Sequence, residues 1–303
     1  MARIDLIFNP VSGSFRQRRL DAIALALKDE GFAVTVLATT AEGVRFSGAA
    51  DIVVIHGGDG TVRDVVGALG ERAGDVALAV APSGTINLVA RELGFSPAPA
   101  TFARDLAASW RRGAHGILTS PLFRVGRVPM VSCLSIGPDS HAVAKVSGAL
   151  KRRMGRYAYV AAFLRQMRDW PRESIGIEGQ LSDGTPFECE AEAVIVSHAA
   201  LYAGPFRLSP DAALHTDTVE LITLDRSTRS RMMRLSGAAM MGLSLQQRGL
   251  AEIRTCRRIV FDHSVTPMQV DGDPMPAAGR VIEASGLSLR YLVPRRLAIS
   301  SAA

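Results

Sequence analysis

Lysine and cysteine are scarce in this chain of 303 residues. The lysines are Lys28, Lys145 and Lys151; the cysteines are Cys133, Cys189 and Cys256. Three scattered thiols exclude a disulfide framework or a zinc site and read as buried thiols in a reducing compartment. No apolar stretch is long enough to span a bilayer. The opening MARIDLIFNP reaches Pro10 too soon for a secretory signal, so a cytoplasmic location is expected. Aromatics make up 6% of the chain and form no stacking motif, which argues against a nucleic-acid partner. G-x-S-x-G and H-E-x-x-H are absent, which removes the common hydrolase readings. G-x-x-x-x-G-K-S/T and a strand-end G-x-G-x-x-G are absent too, so any bound phosphate is held without a P-loop lysine.

What remains is a globular composition, 48% apolar and 21% charged. The length suits two domains. A net charge of +6 favours an anionic partner such as a nucleotide or an acidic membrane face. The basic excess is nearly all arginine in an alanine-rich chain, which looks like coding bias as much as function.

The first part alternates strand and helix. Strands are expected at 3–8, 32–38, 51–55 and 76–82, and helices at 15–31, 61–69 and 86–93. FSPAPATF (95–102) reads as a loop, followed by a closing helix at 103–113. Continuous Val, Ile and Leu runs separated by helices imply a parallel sheet covered on both faces. Beyond about residue 120 come short alternating runs broken by Asp-Gly and Gly-Pro turns, implying a mostly antiparallel second domain. Helical interruptions are expected near 141–169 and 228–248. The expected domains are therefore 1–120 and 121–303.

Three strands each run into a small-residue loop and then a helix: FNPVSGS (8–14), HGGDGT (56–61) and PSGTIN (82–87). In an open parallel sheet such loops share the edge where ligands bind. Glycine lets main chain approach a ligand, and helix N-termini suit phosphate. Any one of these loops alone is more often a plain turn; three in order favour phosphate binding. Asp59 would repel phosphate unless a divalent cation intervenes. It either caps the helix starting near Thr61 or meets a cation or ligand hydroxyl, and the second reading is preferred.

FNPVSG, GGDGTVRDVV and APSGTINLVAREL resemble the catalytic domain of the diacylglycerol kinase and sphingosine kinase superfamily. LSPDAALHTDTVEL and MQVDGDPM continue the likeness to the small bacterial lipid kinases, relatives of NAD kinase and phosphofructokinase. The resemblance implies an α/β fold, with a Rossmann-like N-terminal domain and a mostly antiparallel C-terminal β-sandwich. It implies ATP in the first domain, held by Asn9, Thr39, His56, Gly57, Gly58, Asp59, Gly60, Thr61, Val62 and Thr85, with Thr40 an alternative to Thr39. It implies Asp273, in an Asp-Gly-Asp turn, as general base on a lipid hydroxyl; the same dipeptide is also a common hairpin signal. It implies a structural Mg²⁺ held by the Asp217 side chain and the Leu214 and Val219 carbonyls, where a plain turn is the alternative.

The activity implied is an ATP- and Mg²⁺-dependent lipid kinase of phospholipid metabolism, peripheral at an anionic membrane surface; a homodimer is compatible with it. Two other readings stand beside it: a kinase of a soluble acceptor, as in NAD kinase, and a non-catalytic nucleotide-binding regulator. The chain departs from the family pattern at His56, Asp64, Leu88, Thr218 and Asp273, where a glutamate is usual. The segment KRRMGRYAYVAAFLRQMRDW (151–170) sets six basic residues against one acid; read as a helix, it either packs its apolar stripe on the sheet and solvates its arginines, the commoner arrangement, or assists membrane contact, the hypothesis taken here.

Overall fold

A computed structural model describes residues 1–13, 15–83, 86–138, 140–141, 172–204, 206–209, 211–262, 267–275 and 279–294. The arginine-rich segment 151–170 and Thr85 lie outside the described residues. The chain forms two compact units. One takes Met1–Pro121 and the chain from Gly286 onward; the other is Leu122–Ser285.

In the first unit, continuous apolar runs make strands β1 (Arg3–Phe8), β3 (Ile52–Gly57) and β4 (Ala77–Pro82), with β2 (Ala33–Ala38) at the edge. All pair in parallel in the order β2-β1-β3-β4. The order reverses between β1 and β3. Right-handed crossovers then place helices on both faces, and the reversal is the switch point where α/β sheets bind ligands. β3 is buried throughout, as a sheet covered on both faces requires.

Helix α1 (Gln17–Asp29) buries Leu20, Ile23, Ala24 and Leu27, the stripe its periodicity predicts. Helices α2 (Asp59–Leu69) and α3 (Leu88–Leu93) follow β3 and β4. Helix α4 (Pro99–Arg111) corrects the expected loop at 95–102: it starts at Pro99. Proline at the first helical position has no amide to waste and a preset φ, so it opens the helix where the sequence reading saw a break.

The expected division placed everything after 120 in one domain. The structure instead returns the chain to the first unit, where β15 (Val281–Leu292) lies parallel to β4 with Arg290 opposite Ala77. Val293 secures this return: its amide donates to the Gly116 carbonyl at 3.0 Å. Its own carbonyl accepts from the Ser109 hydroxyl and from Arg112, the latter at 2.7 Å.

β5 (Ile117–Val125) carries the chain into the second unit and pairs antiparallel with β6 (Val128–Met130). The second unit is mostly antiparallel. β7 (Cys133–Ile136), β10 (Ala193–Ser197), β11 (Val219–Leu224) and β12 (Glu252–Phe261) run in that order. β8 (Ile175–Leu181) and β9 (Pro186–Ala191) pair as a hairpin, and β8 also pairs β12 beside a bulge between Cys256 and Arg258. β13 (Met268–Val270) and β14 (Asp273–Met275) form a short hairpin on β7. Two apolar clusters fill the unit. One is built around Leu134, Val194, Leu221 and Phe261, the other around Ile195, Ile222 and helix α5 (Arg229–Met240). Among the described residues no helix is long and apolar enough to cross a membrane.

Gly116 touches the end of α4, and a Cβ there would collide with the Ser109 carbonyl, a main-chain group that cannot swing away. Gly116→Ala is expected to cost about 1–3 kcal/mol. The check is a lowered urea midpoint at unchanged denaturant slope.

Candidate functional site

The three loops singled out in the sequence meet at the carboxyl ends of β1, β3 and β4. They are tied together chemically. The Asn9 amide donates to the His56 carbonyl at 3.4 Å, and Asn9 Nδ2 donates to Thr61 Oγ1 at 3.3 Å. The Ser83 hydroxyl donates to the Gly57 carbonyl at 3.2 Å. Asp59 supplies the strongest tie. Its two carboxylate oxygens accept the amides of Leu88 at 2.9 Å and Val89 at 3.0 Å, the first turn of α3.

That placement corrects the reading of Asp59 as a cap of its own helix. The carboxylate is buried, and it caps the helix of the next loop rather than the helix it begins. The α3 amides and the positive end of the helix offset the cost of burying the charge. Leu88, where the family pattern suggests a polar residue, buries its side chain and contributes its amide to this tie.

Gly58 stands at the N-cap of α2, with an extended backbone and no side chain to cap the helix. The helix N-terminus therefore presents main-chain donors at the switch point, an arrangement suited to phosphate. Gly57 is required there sterically: a Cβ would lie 2.5 Å from Thr61 Oγ1 and 2.6 Å from its Cγ2.

Thr39 follows β2, and its amide donates to the Phe8 carbonyl at 2.9 Å, which sets it on the same sheet edge as Asn9. The Thr40 hydroxyl serves its own turn, contacting the Gly43 carbonyl and the Glu42 amide at 3.3 Å each. This favours Thr39 over Thr40 for a ligand contact.

In the second unit Asp271 and Gly272 both have positive φ, 53° and 82°, as a tight two-residue hairpin requires. Asp271 is buried, and one carboxylate oxygen accepts the Ser132 amide at 2.8 Å, the Ser132 hydroxyl at 2.7 Å and the Cys133 amide at 3.2 Å. The other accepts the Val131 amide at 3.0 Å. Gln269 Oε1 accepts the Gly272 amide at 2.7 Å, closing the turn. Asp273, the next residue, opens β14 and is half-buried.

Residues 3–116 match the family model described as the diacylglycerol kinase catalytic domain. Residues 132–299 match the YegS C-terminal NAD kinase beta sandwich-like domain, more than half of the chain. The chain belongs to the diacylglycerol kinase-like family. The diacylglycerol kinase of Bacillus subtilis (strain 168) is 24% identical over 282 residues, covering 90% of each chain. That of Staphylococcus saprophyticus is 25% identical over 240 residues, covering 76% of this chain and 75% of the relative. A solved diacylglycerol kinase structure from Bacillus anthracis str. Sterne superposes with a TM-score of 0.72 at 20% identity, over 97% of this chain and 98% of that one. Mixed α/β architecture, parallel first and antiparallel second, is thus the fold of this diacylglycerol kinase-like chain.

Within this family framework the Leu214–Val219 loop is wound by Thr216, whose hydroxyl donates to the Ala213 carbonyl at 2.8 Å or the Thr218 carbonyl at 3.1 Å. Leu214 is buried, whereas the Asp217 side chain is 73% exposed and lies 3.8 Å from Arg257. Among the described residues no three His, Cys, Asp or Glu side chains cluster as a metal site. Any ion here relies on Asp217 together with main-chain carbonyls, an all-oxygen donor set that fits Mg²⁺.

His56 is the largest departure from the glycine-rich pattern. Its ring is turned into the protein. It is 1% exposed, edge-on to Phe15 with centroids 6.4 Å apart, and neither ring nitrogen has a hydrogen-bond partner among the described residues. Burial, and secondarily the Arg19 cation, lower its pKa to about 4. The sequence offered one signal for this: Ile52–Ile55 is a continuous apolar run, so position 56 continues a buried strand.

Two outcomes follow. Asp59→Asn keeps one acceptor oxygen and loses the charge that faces the α3 amides. It is expected to cost about 1–3 kcal/mol and to speed hydrogen exchange at Leu88 and Val89. His56 is neutral in the fold down to about pH 4, while the unfolded ring takes a proton near pH 6.5. Its contribution is therefore fully present above about pH 6.5 and lost as pH falls toward 4, on the order of 2–3 kcal/mol. His56→Phe removes two unpartnered polar atoms; it should match or exceed the parent stability at pH 7 and lose less on acidification.

Proposed function

We propose that this protein is an ATP- and Mg²⁺-dependent lipid kinase, transferring the γ-phosphoryl group to a lipid hydroxyl such as that of diacylglycerol. The observation that carries the reading is the glycine N-cap of α2, set among three loops that Asn9, Ser83 and Asp59 tie together. Phosphoryl transfer asks a protein chiefly for positioning and charge stabilisation. Main-chain donors at 58–61, flanked by Asn9 and Thr39, supply that for a polyphosphate. The names of the relatives supply the acceptor class.

Asp273 is the proposed base. Its carboxylate orients the acceptor hydroxyl and takes its proton as the oxygen bonds to the γ-phosphorus and the bond to the leaving diphosphate breaks. Aspartate is one methylene shorter than glutamate, so the stiffness of the turn matters: Asp271 and Gln269 hold the main chain from which the carboxylate projects. Leu214, Asp217 and Val219 would hold a Mg²⁺ that cross-links their loop and has no part in the transfer.

The test uses labelled ATP, Mg²⁺ and diacylglycerol in mixed micelles, with product followed by extraction and thin-layer chromatography. Labelled lipid is expected from the parent protein. Asp273→Ala should lower turnover by about 10²–10⁴-fold with an unchanged thermal melt. A labelled water-soluble product would instead mark a soluble acceptor. Thermal stabilisation by ATP with no transfer to any lipid would mark a non-catalytic nucleotide binder.

A further inference from the structure

Helix α5 buries Met232, Leu235, Ala238 and Ala239 against the second unit. Its opposite face is unusual. Met233, Met240 and Met241 are 59%, 70% and 69% exposed, and at helical spacing they stand together with Gly237 on the outward side. Soluble surfaces seldom collect long apolar side chains in this way. Thioether side chains adapt readily to an irregular apolar partner.

The charge around this stripe is of one sign. From Arg226 to Ala251 there is no aspartate or glutamate, while Arg226, Arg229, Arg231, Arg234 and Arg248 all fall within it. Arg231 is structural: it donates to the Gly249 and Leu250 carbonyls at 3.1 and 3.0 Å and pairs with Asp225 at 2.6 Å. The acid at the other end, Glu252, is paired with Arg254 at 2.5 Å. Both flanking carboxylates are thus neutralised locally. Arg226, Arg234 and Arg248 are exposed and make no ion pair among the described residues.

We propose that the outward face of α5 and the turn after it dock the protein on an anionic lipid surface, with the three methionines in the acyl boundary and the arginines among the headgroups. Apolar insertion flanked by cations is the physical pattern of an interfacial helix. The complement of an acid-free arginine collar around an apolar stripe is a surface that is apolar below and negative above. A bilayer with acidic headgroups presents both; a second copy of this face presents only like charge. This stretch of the sequence is distinct from the arginine-rich segment 151–170. It also goes beyond the kinase reading, since lipid binding needs no nucleotide.

The test is co-sedimentation of the full chain, without nucleotide, with vesicles of phosphatidylglycerol and phosphatidylcholine or of phosphatidylcholine alone. Binding is expected to the acidic vesicles and to weaken as salt rises toward about 0.5 M. Each arginine near the surface is worth about fivefold in partitioning, so replacing Arg226, Arg234 and Arg248 by glutamine should cost about a hundredfold. Met233→Ser, Met240→Ser and Met241→Ser together should weaken binding at least about tenfold with an unchanged melt. A Cβ at Gly237 would meet nothing within 4 Å, so Gly237→Cys accepts a polarity-sensitive dye, in a Cys189→Ser background. Its emission should shift to the blue on acidic vesicles. Parent-like sedimentation of both variant sets, or no shift at residue 237, overturns the proposal. So does a dimer that the methionine variants dissociate while lipid binding persists. Loss of kinase activity with lipid binding intact would count against the kinase reading alone.

Discussion

A buried carboxylate that captures consecutive main-chain amides from a distant segment is the interaction on which the key turn of each unit depends. Asp59 does this to Leu88 and Val89, and Asp271 does it to Val131, Ser132 and Cys133. In each case the aspartate lies in or beside a glycine-containing turn, and its partners begin another element. An ionised carboxylate is costly to remove from water unless most of its lone pairs are filled. Amides held by secondary structure fill them without further loss of side-chain entropy. Two tight turns are thereby fixed relative to the chain around them, which is the condition for presenting main-chain donors or a short carboxylate with little freedom.

This device explains how far the sequence could be read. The parallel sheet was legible because β1, β3 and β4 are continuous apolar runs, a pattern only two-sided burial favours. The Asp271-Gly272 turn was legible because positive φ at two successive positions selects that dipeptide. The work of Asp59 was not. Its partners are 29 and 30 residues away, and they are amides, which every residue but proline carries. No spacing rule can name such a partner. The same holds for Asp271, whose amide partners lie 138 to 140 residues away. Pro99 failed the reading for another reason: the residue that stops a helix in its interior starts one at its first position. The return of β15 to β4 was hidden because a strand's sequence records its burial and not its neighbour.

A site made largely of main chain also accounts for family membership at 24% identity over 282 residues. Donors at a helix N-terminus survive substitution of the side chains around them. Arg63 and Asp64 illustrate this: they pair with each other at 2.9 Å on the body of α2, beyond its glycine start. His56 can likewise replace a smaller residue because its ring turns into the core while its carbonyl keeps its bond to Asn9. What cannot vary is the space the backbone needs, and Gly57 sits where Thr61 leaves no room for a Cβ.

The second unit divides its faces by the same logic. β10 and β11 are buried on both sides, so α5 is needed to cover Ile195 and Ile222. A helix held by one face is free to specialise the other. Arg231 anchors the turn after α5 through two carbonyls, so the exposed methionines are carried on a fixed support and not on a loose loop. Three exposed methionines there gain nothing for the fold, whose core is complete beneath them. An acid-free, arginine-flanked apolar face carried on a packed helix is the complement of the anionic lipid surface proposed for it.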